Sequence, residues 1–434
     1  MTPTLLARLL VLVLAAPCAG ATGITLVQAG HLLDRPGQAP RGAATVVVEN
    51  GKVARVLDGF VGTDNYPGAT VVDLRTRYVL PGLIDCHVHL TSDRAGNDGA
   101  LAGVTMSTAD WAYEAETNAH KTLAAGFTTV RNLGDGDNGV TLALRDAIAK
   151  GSVQGPRIID AGMPISTTSG HMDGRLGYAD WVQHDINTSN VCDSVESCRR
   201  AVRLQIGRGV DVIKIATTGG VNSIVGAGVK KQMFDDEARA LVDTAHLYGK
   251  KVAVHAHGDD GINLALAAGA DSIEHGTMLD EAGVKLFLKS GAYYVPTLST
   301  INGYLERIAK DPDAYSPAVR AKIDWRLGVT GKSLLLATKY GVKIAFGTDA
   351  GVSKHGRNAD EFELMVKFGM TPAEAINAAT VNAADLLGVS SVAGSLEAGK
   401  SADLIAVDGD PLLDVKVLKS VKFVMKAGAV FKRE

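Results

Sequence analysis

Histidines recur in this sequence at the ends of apolar segments that have the composition of β-strands. His87 and His89 end the segment GLIDCHVHL. Because side chains alternate along a strand, both imidazoles point to one face and can bind one metal ion. Further groups of metal-binding type lie in or after later segments, namely Lys214, His255, His257, His275 and Asp349. A single HxH pair is weak evidence, but its recurrence predicts a metal site built from several strands.

Lys214 lies within the apolar segment VDVIKIA, where an unpaired ammonium group would be costly to bury. One interpretation is structural: the side chain extends to solvent or pairs with a carboxylate. The other is functional, because burial lowers the pKa of lysine and a neutral amine can react with carbon dioxide to form a carbamate. The two oxygens of a carbamate can bridge two cations.

Eight strand-like segments between residues 81 and 384 must position these side chains, with helix-like stretches between them. In chain order they are GLIDCHVHL, FTTVRNL, RIIDAG, VDVIKIA, KKVAVHAHG, DSIEHG, AYYVPTL and VKIAFGT. Eight such units predict an α/β fold, a (β/α)8 TIM barrel with its active site at the carboxyl ends of the strands. A doubly wound sheet is the alternative, but it does not explain why polar side chains recur at so many strand ends.

Both ends of the chain are rich in short strands. Residues 22–80 include TVVVENGKVARVL, in which Asn50–Gly51 predicts a hairpin turn because both residues tolerate positive φ. Residues 385–434 include SADLIAVDGDPL and VKFVMKAGAVFK, with a second turn at Ala427–Gly428. We expect the two ends to form one small composite β-sandwich domain beside the barrel.

Residues 1–21 have the three parts of a secretory signal peptide. Arg8 precedes the apolar run Leu9–Ala16, which is too short to span a bilayer, and Ala19–Ala21 offers small residues for cleavage. A buried N-terminal helix is the alternative. We therefore expect a secreted or periplasmic protein with no membrane span in its mature form.

The composition is ordinary for a globular protein. A net charge of −3 with both signs interspersed does not resemble a nucleic-acid-binding surface. Cys192 and Cys198 lie in one polar loop, so they either form a disulfide in an oxidising compartment or remain free thiols. Cys86 lies in an apolar strand, and we expect it to be buried.

Several segments together resemble the amidohydrolase superfamily in its binuclear form. The resemblance rests on PGLIDCHVHL, the lysine in VIKI, HAHG, SIEHG and FGTDAG. GFTTVRNLGD, PISTTSGHMDG and VAVHAHG are similar to one clade, which contains Xaa-Pro dipeptidase-like, carboxypeptidase-like and ochratoxin A-hydrolysing amidohydrolases. Gly258 lies three residues after His255, where mononuclear deaminases have glutamate, so the resemblance favours an amide hydrolase.

The resemblance implies two divalent metal ions, with zinc as the first choice. The ligands that it implies are His87, His89, Lys214, His255, His275 and Asp349. One ion would be bound by His87, His89 and Asp349 and the other by the two later histidines, with carboxylated Lys214 bridging the two ions. A metal-bridging hydroxide would attack the amide.

The resemblance also implies the catalytic roles. Asp349 would pass a proton from the hydroxide to the leaving amine, and His257 would help to stabilise the oxyanion. His255 and His257 face the same way in the segment HAHG, so the choice of metal ligand between them stays open.

The enzymes of this clade cleave amides of amino acids that carry a free carboxylate, which implies dipeptides or N-acyl amino acids as substrates. Candidates for binding that carboxylate are His171, His257 and Arg131. His171 could instead lie on the surface, and Arg131 could pair with Asp135 or another carboxylate. A lactonase or cyclic-amide hydrolase on the same site is one alternative, and a non-catalytic assembly or binding relative is another. A homo-oligomer, for example an octamer, is also implied.

Overall fold

The computed structural model describes residues 23–94, 96–134, 136, 139–226 and 228–434. The predicted signal peptide, residues 1–21, lies outside this part of the chain, as does Asp135, the residue considered as a partner for Arg131. Within the described ranges, no helix has both the length and the apolar character needed to cross a membrane.

The strands form three sheets. They are β1 (Ile24–Leu32), β2 (Ala44–Glu49), β3 (Lys52–Asp58), β4 (Thr70–Pro81), β5 (Leu83–Val88), β6 (Phe127–Asn132), β7 (Arg157–Asp160), β8 (Ile213–Ala216), β9 (Val252–Ala256), β10 (Ser272–His275), β11 (Tyr293–Val295), β12 (Leu404–Val407), β13 (Phe423–Lys426) and β14 (Ala429–Arg433). Their order is β14-β13-β12-β4-β1-β2-β3 in one sheet, β5-β6-β7 in a second and β8-β9-β10-β11 in a third. The second and third sheets are parallel, and helices separate most of their strands, so the predicted α/β class is confirmed.

The helices are α1 (Gly96–Thr105), α2 (Thr108–Ala124), α3 (Val140–Ala149), α4 (Asp180–Gln183), α5 (Val195–Gly207), α6 (Asp235–Leu247), α7 (Asp259–Ala268), α8 (Glu281–Ser290), α9 (Thr300–Lys310), α10 (Pro317–Val329), α11 (Lys332–Tyr340), α12 (Asp360–Lys367), α13 (Pro372–Asn377) and α14 (Ala383–Leu387). A π-helical turn, Ala378–Asn382, joins α13 to α14, and a 3-10 turn spans Val415–Lys419. Their starts follow local chemistry. At α13, Thr371 and Glu374 each bond the other's backbone amide, and Pro372 occupies the first turn, where its missing N–H costs nothing.

Both ends of the chain meet in the seven-stranded sheet. The predicted hairpin turns are present: Asn50–Gly51 joins β2 to β3 and Ala427–Gly428 joins β13 to β14, all four residues with positive φ. The two turns pack so closely that a Cβ on Gly51 would lie 2.6 Å from the Ala427 carbonyl oxygen. All seven strands belong to one continuous hydrogen-bonded sheet.

The segment 342–350, which contains the eighth predicted strand VKIAFGT, connects the two parallel sheets without forming a regular strand itself. On one side the amide of Tyr294 in β11 donates to the Lys343 carbonyl at 2.8 Å. On the other side the amide of Cys86 in β5 donates to the Phe346 carbonyl at 2.9 Å.

The remaining gap, between β7 and β8, is bridged after the end of β7. The amide of Ile165 donates to the Lys214 carbonyl in β8 at 2.8 Å. Backbone hydrogen bonds therefore pass through all eight segments and return to the first. Because the segments are parallel, the residues that follow them lie on one face.

Two buried groups fix the junction between β5 and segment 342–350. The Asp85 carboxylate accepts a hydrogen bond from Thr348 Oγ1 at 2.6 Å. Phe346 is fully buried, and its ring centroid lies 5.5 Å from that of Phe127 and 4.4 Å from that of Phe362. Aromatic packing of this kind stabilises the junction beyond the apolar area it buries.

We predict that Phe346→Ala lowers the free energy of unfolding by about 3–5 kcal/mol, because it leaves a cavity at this junction. Denaturant unfolding followed by circular dichroism measures the change. The control is Phe234→Ala, which truncates a ring that is 73% exposed and should leave stability nearly unchanged. Equal midpoints for the two variants would contradict the role assigned to Phe346.

Candidate active site

A cavity of about 780 Å³ opens where the parallel strands end. It is lined by residues that the sequence predicted as metal ligands or substrate contacts, namely His87, His89, His171, Lys214, His255, His257, His275 and Asp349. Other lining residues are apolar or aromatic, including Met106, Trp111, Met163, Ile186 and Tyr304. The cavity therefore combines a cluster of potential metal ligands with apolar surface.

A first group of potential ligands consists of His87, His275 and Asp349, whose ligand atoms lie within 4.8 Å of one another. Asp349 Oδ1 also lies 3.3 Å from His89 Nε2. The other ring nitrogen of His89, Nδ1, lies 2.7 Å from the Gly134 carbonyl oxygen, which fixes the orientation of the ring. Neutral imidazole and carboxylate are ligand types that suit zinc.

A second group consists of His255, His257 and His275, with the same spacing between ligand atoms. The ring centroid of His275 lies 4.6 Å from that of His255 and 4.8 Å from that of His257. Thr277 Oγ1 holds His257 through Nδ1 at 2.8 Å. His275 belongs to both groups, so it could bind an ion at either position. Both histidines of the HAHG segment remain available as ligands.

The backbone is strained at two of these residues. His275 and Asp349 have φ values of 70° and 55°, a region that residues other than glycine rarely adopt. Such conformations cost about 1–3 kcal/mol each and persist where surrounding contacts hold them. Thr297 Oγ1 bonds His275 Nδ1 at 2.7 Å, and the Asp349 amide donates to the His87 carbonyl at 2.8 Å.

Side chains behind the ligands fix them further. The Tyr294 hydroxyl donates to the His275 carbonyl at 3.0 Å. His355 is buried, and its Nε2 lies 3.0 Å from the His89 carbonyl oxygen. Both residues support the cluster without lining the cavity.

Lys214 is buried in the cluster, and its Nζ has no hydrogen-bond partner in the part of the chain that the structure describes. Burial lowers the pKa of this amine to about 8, although Glu274 and Asp349 oppose the shift. The side chain neither extends to solvent nor pairs with a described carboxylate. The structural interpretation of this lysine therefore does not agree with its surroundings. Carbamate formation requires the uncharged amine, and the lowered pKa makes that form more accessible than in an ordinary lysine.

Burial favours the neutral form of several imidazoles in the cavity. Burial, followed by the charge of Lys214, lowers the pKa of His87 to about 4 and that of His171 to about 3. Burial also lowers the pKa values of His255 and His275. Neutral imidazole is the form that binds a metal ion.

Arg131 pairs with Glu274 and is not placed to bind substrate, which corrects the sequence prediction. The Glu274 carboxylate accepts hydrogen bonds from Arg131 at 2.7 Å and Ser272 at 2.5 Å, and it lies 2.9 Å from His87 Nδ1. Burial alone would raise the pKa of Glu274, but Arg131 and His87 outweigh it and lower the pKa to about 2. Arg131 also donates to the Cys86 carbonyl and is 1% exposed, so it forms the structural ion pair that was the alternative.

His171 lies inside the cavity and not on the surface. Its ring centroid is 4.1 Å from that of His255, and its Nδ1 lies 3.0 Å from Ser223 Oγ. Gly220 permits this approach, because a Cβ at that position would lie 2.5 Å from the His171 ring. His171 is therefore placed to contact a substrate in the cavity.

A disulfide joins Cys192 to Cys198, which resolves the alternatives left open by the sequence, and Cys86 is a buried free thiol. The amide of Cys192 donates to the Ser166 carbonyl at 2.9 Å, at the start of the segment that leads to His171. The disulfide therefore connects the third loop of the cavity to helix α5.

Two polar residues at the site were missed at the sequence level. Glu274 had a detectable signal, because it is a carboxylate in an otherwise apolar strand and must be paired if buried. Arg326, which lines the cavity, had no such signal. It lies in α10 among other charged residues, and only the packing of that helix shows that it is 3% exposed.

Comparison with known proteins identifies the family to which this arrangement belongs. Residues 78–431 match the pattern of the Amidohydrolase family. The chain belongs to the amidohydrolase family. Among its relatives, the ochratoxinase of Aspergillus niger is 32% identical over 431 residues, an alignment that covers 94% of this chain and 87% of the relative.

Solved structures agree with this amidohydrolase assignment. A Xaa-Pro dipeptidase with methionine bound in the active site superposes with a TM-score of 0.89 at 39% identity, covering 94% of this chain and 100% of the other. A prolidase complexed with N-methylphosphonate-L-proline gives a TM-score of 0.85 at 32% identity, covering 95% and 100%. This amidohydrolase is a hydrolase of amide or peptide bonds, a conclusion that removes support from the non-catalytic alternative. Its family implies a divalent metal ion.

We predict that the metal-free amidohydrolase loses stability on acidification. Its buried histidines have pKa values below the ordinary 6.5, about 4 for His87 and about 3 for His171, so the unfolded chain binds more protons as the pH falls below 6.5. The free energy of unfolding should fall by up to about 1.4 kcal/mol per pH unit for each such group, until the pH reaches the folded-state pKa. Urea unfolding of chelator-treated protein between pH 7.5 and 5 measures this slope.

His171→Gln should reduce the slope, and His184→Gln, which changes a side chain that is 88% exposed, should not. Identical slopes for the two variants would contradict the burial of a neutral imidazole at position 171.

We also predict that Arg131→Met lowers the free energy of unfolding by about 3–5 kcal/mol, because it leaves the Glu274 carboxylate buried without its partner. The control is Arg75→Met, which removes an exposed pair with Asp73 and should change stability by less than about 1 kcal/mol. A fully stable Arg131→Met protein that had lost only its preference for carboxylate substrates would restore the original prediction for Arg131.

Proposed function

We propose that this amidohydrolase cleaves the amide bond of dipeptides or N-acyl amino acids that carry a free carboxylate, with ochratoxin A as one candidate. The observation that carries the proposal is the buried cluster of imidazoles and Asp349 around the unpartnered Lys214 amine. Methionine and N-methylphosphonate-L-proline, the compounds bound in two similar structures, both present the carboxylate of an amino acid. The ochratoxinase of A. niger supports the same class of amide.

The donor set fits two divalent metal ions, with zinc as the first choice. We assign His87, His89 and Asp349 to one ion, and His255 and His275 to the other. Lys214, as its carbamate, would supply oxygen ligands to both, and its unpartnered Nζ is the observation that fits this role. The chemistry that such ions supply is activation of water and polarisation of the scissile carbonyl.

The protein's own groups would move the proton and stabilise charge. The pKa of Asp349 is lowered, because His87 and His89 outweigh the effect of burial, so its carboxylate is ionised and can accept a proton from the attacking water. The same carboxyl group can return that proton to the nitrogen as the C–N bond breaks. Thr277 Oγ1 lies 2.8 Å from His257 Nδ1, and in the tautomer that carries its hydrogen on Nε2 His257 would donate to the oxyanion.

The proposal extends to the architecture around the site. The ring of eight hydrogen-bonded segments supports a (β/α)8 barrel over residues 81–384, and the seven-stranded sheet supports a composite small domain from residues 22–80 and 385–434. We further propose export after cleavage of residues 1–21, and assembly of the mature chain into a homo-oligomer such as an octamer.

The test is hydrolysis of a substrate panel by zinc-loaded protein. It contains Xaa-Pro and other dipeptides, N-acyl amino acids and ochratoxin A, each beside its carboxamide, with lactones and cyclic amides included. Cleavage of the free-carboxylate amides in strong preference to their carboxamides supports the proposal. Cleavage of lactones or cyclic amides alone would contradict it.

We predict that Lys214→Ala lowers the bound metal below the roughly two ions per chain that a bridged centre requires, together with activity. Metal content by mass spectrometry and kcat measure the two effects. Lys285→Ala, at an exposed lysine of α8, is the control and should keep both. A Lys214→Ala protein with full metal content and full rate would show that Lys214 does not bridge.

Asp349→Asn removes the proposed proton carrier and should lower kcat by about 100- to 10,000-fold. Steady-state kinetics at saturating metal measures the loss. The matched control is Asp324→Asn on the exposed face of α10, which should retain the wild-type rate. Wild-type turnover by Asp349→Asn would assign proton transfer to another group.

A further inference from the structure

Arg326 is a buried cation that lines the cavity and lacks a carboxylate partner in the described ranges. It extends from α10 and is 3% exposed. Its Nη2 makes two long contacts, each of 3.4 Å, to the backbone carbonyl oxygens of Pro296 and Thr297. Among the described residues, these contacts leave most of the donors of the guanidinium without a strong acceptor.

Two other cations near the cavity differ from Arg326 because their charges are already engaged. Arg94, which also lines the cavity, pairs with Glu114. Lys322, one turn before Arg326 on α10, donates to the carbonyl oxygens of Gly220 and Ser223. Lys214 is set apart as the proposed metal-bridging amine, so among the described residues Arg326 offers a positive charge that remains available to a ligand. A buried charge without a partner is costly until an anion binds.

The position of Arg326 places it beside the proposed reaction centre. Thr297, whose carbonyl it contacts, uses its hydroxyl to bond His275 Nδ1 at 2.7 Å. The next residue on the helix, Trp325, has its ring centroid 6.1 Å from that of His257. An anion on Arg326 would thus be adjacent to the imidazoles that surround the scissile bond without being part of the metal cluster.

We propose that Arg326 binds the free α-carboxylate of the amino acid on the amine side of the amide. The planar guanidinium can bind both carboxylate oxygens through parallel hydrogen bonds. His171 and His257 pack against the proposed metal ligands, with ring centroids 4.1 Å from His255 and 4.8 Å from His275, so they contact other parts of the substrate. This inference rests on the proposed amide hydrolysis and names the residue that selects the substrate class.

The test compares kcat/KM for an N-acyl amino acid and for its carboxamide in Arg326→Gln and Arg326→Lys. Loss of a buried, charge-assisted pair should lower kcat/KM for the free acid about 100-fold or more in Arg326→Gln. The carboxamide should change less than about threefold, because it never formed the pair. Arg326→Lys should recover part of the loss, since it keeps the charge without the planar geometry.

The matched control is Arg320→Gln, which removes an exposed arginine of the same helix that pairs with Asp324 at 3.2 Å. It should alter neither substrate. Metal content and the thermal midpoint of each variant report whether the fold is intact. Equal losses for acid and carboxamide, or no loss for either, in a folded, metal-loaded Arg326 variant would overturn the assignment.

Binding of the product amino acid gives a readout that does not need turnover. Calorimetry should show that the wild-type protein binds the amino acid and that Arg326→Gln does not, while both bind the amino acid amide equally weakly. If the wild-type protein hydrolyses no amide, the proposed function fails, and this measurement decides the role of Arg326 by itself. Unchanged binding of the amino acid to Arg326→Gln would refute it.

Discussion

A single buried carboxylate, that of Glu274, connects the strands that carry the site. It pairs with Arg131 from β6 and bonds His87 from β5, so three strands share one charge network beneath the cavity. Removing charges from water is costly, and the network offsets that cost only while every member stays paired. This network fixes the ring of His87. It also engages the Glu274 carboxylate, which could otherwise have paired with Lys214. The lysine amine is left buried and unpartnered as a result.

Three buried cationic side chains around the site have different roles because their surroundings differ. Arg131 is neutralised by Glu274 and acts as a structural residue. Lys214 is driven towards its uncharged form by burial, the form from which a carbamate can be made. Arg326 keeps a charge that the described part of the protein does not pair. Our proposals therefore assign structural support, metal binding and substrate selection to three different residues that all carry the same formal charge in the sequence.

Local patterns explain what could be predicted from the sequence. The hairpin turns, the strand segments and the clustering of His87, His89 and Asp349 follow from alternation, turn chemistry and the rule that parallel strands end on one face. Segment 342–350 was recognised by its composition, although its hydrogen bonds do not make it a regular strand.

The features that escaped prediction depend on contacts between distant parts of the chain. Arg131 and Glu274 are 143 positions apart, so no local pattern pairs them, and sequence reasoning places Arg131 among the substrate contacts. Arg326 lies on a charged helix, and only the packing of α10 over the cavity distinguishes it from the exposed Arg320.

The most direct measurement is anomalous X-ray diffraction from crystals of the zinc-loaded protein. Two peaks are expected, one among His87, His89 and Asp349 and the other at His255 and His275, with additional density on Lys214 Nζ between them. A single peak bound by His255, His257 and His275, with an unmodified Lys214, would contradict the bridged centre.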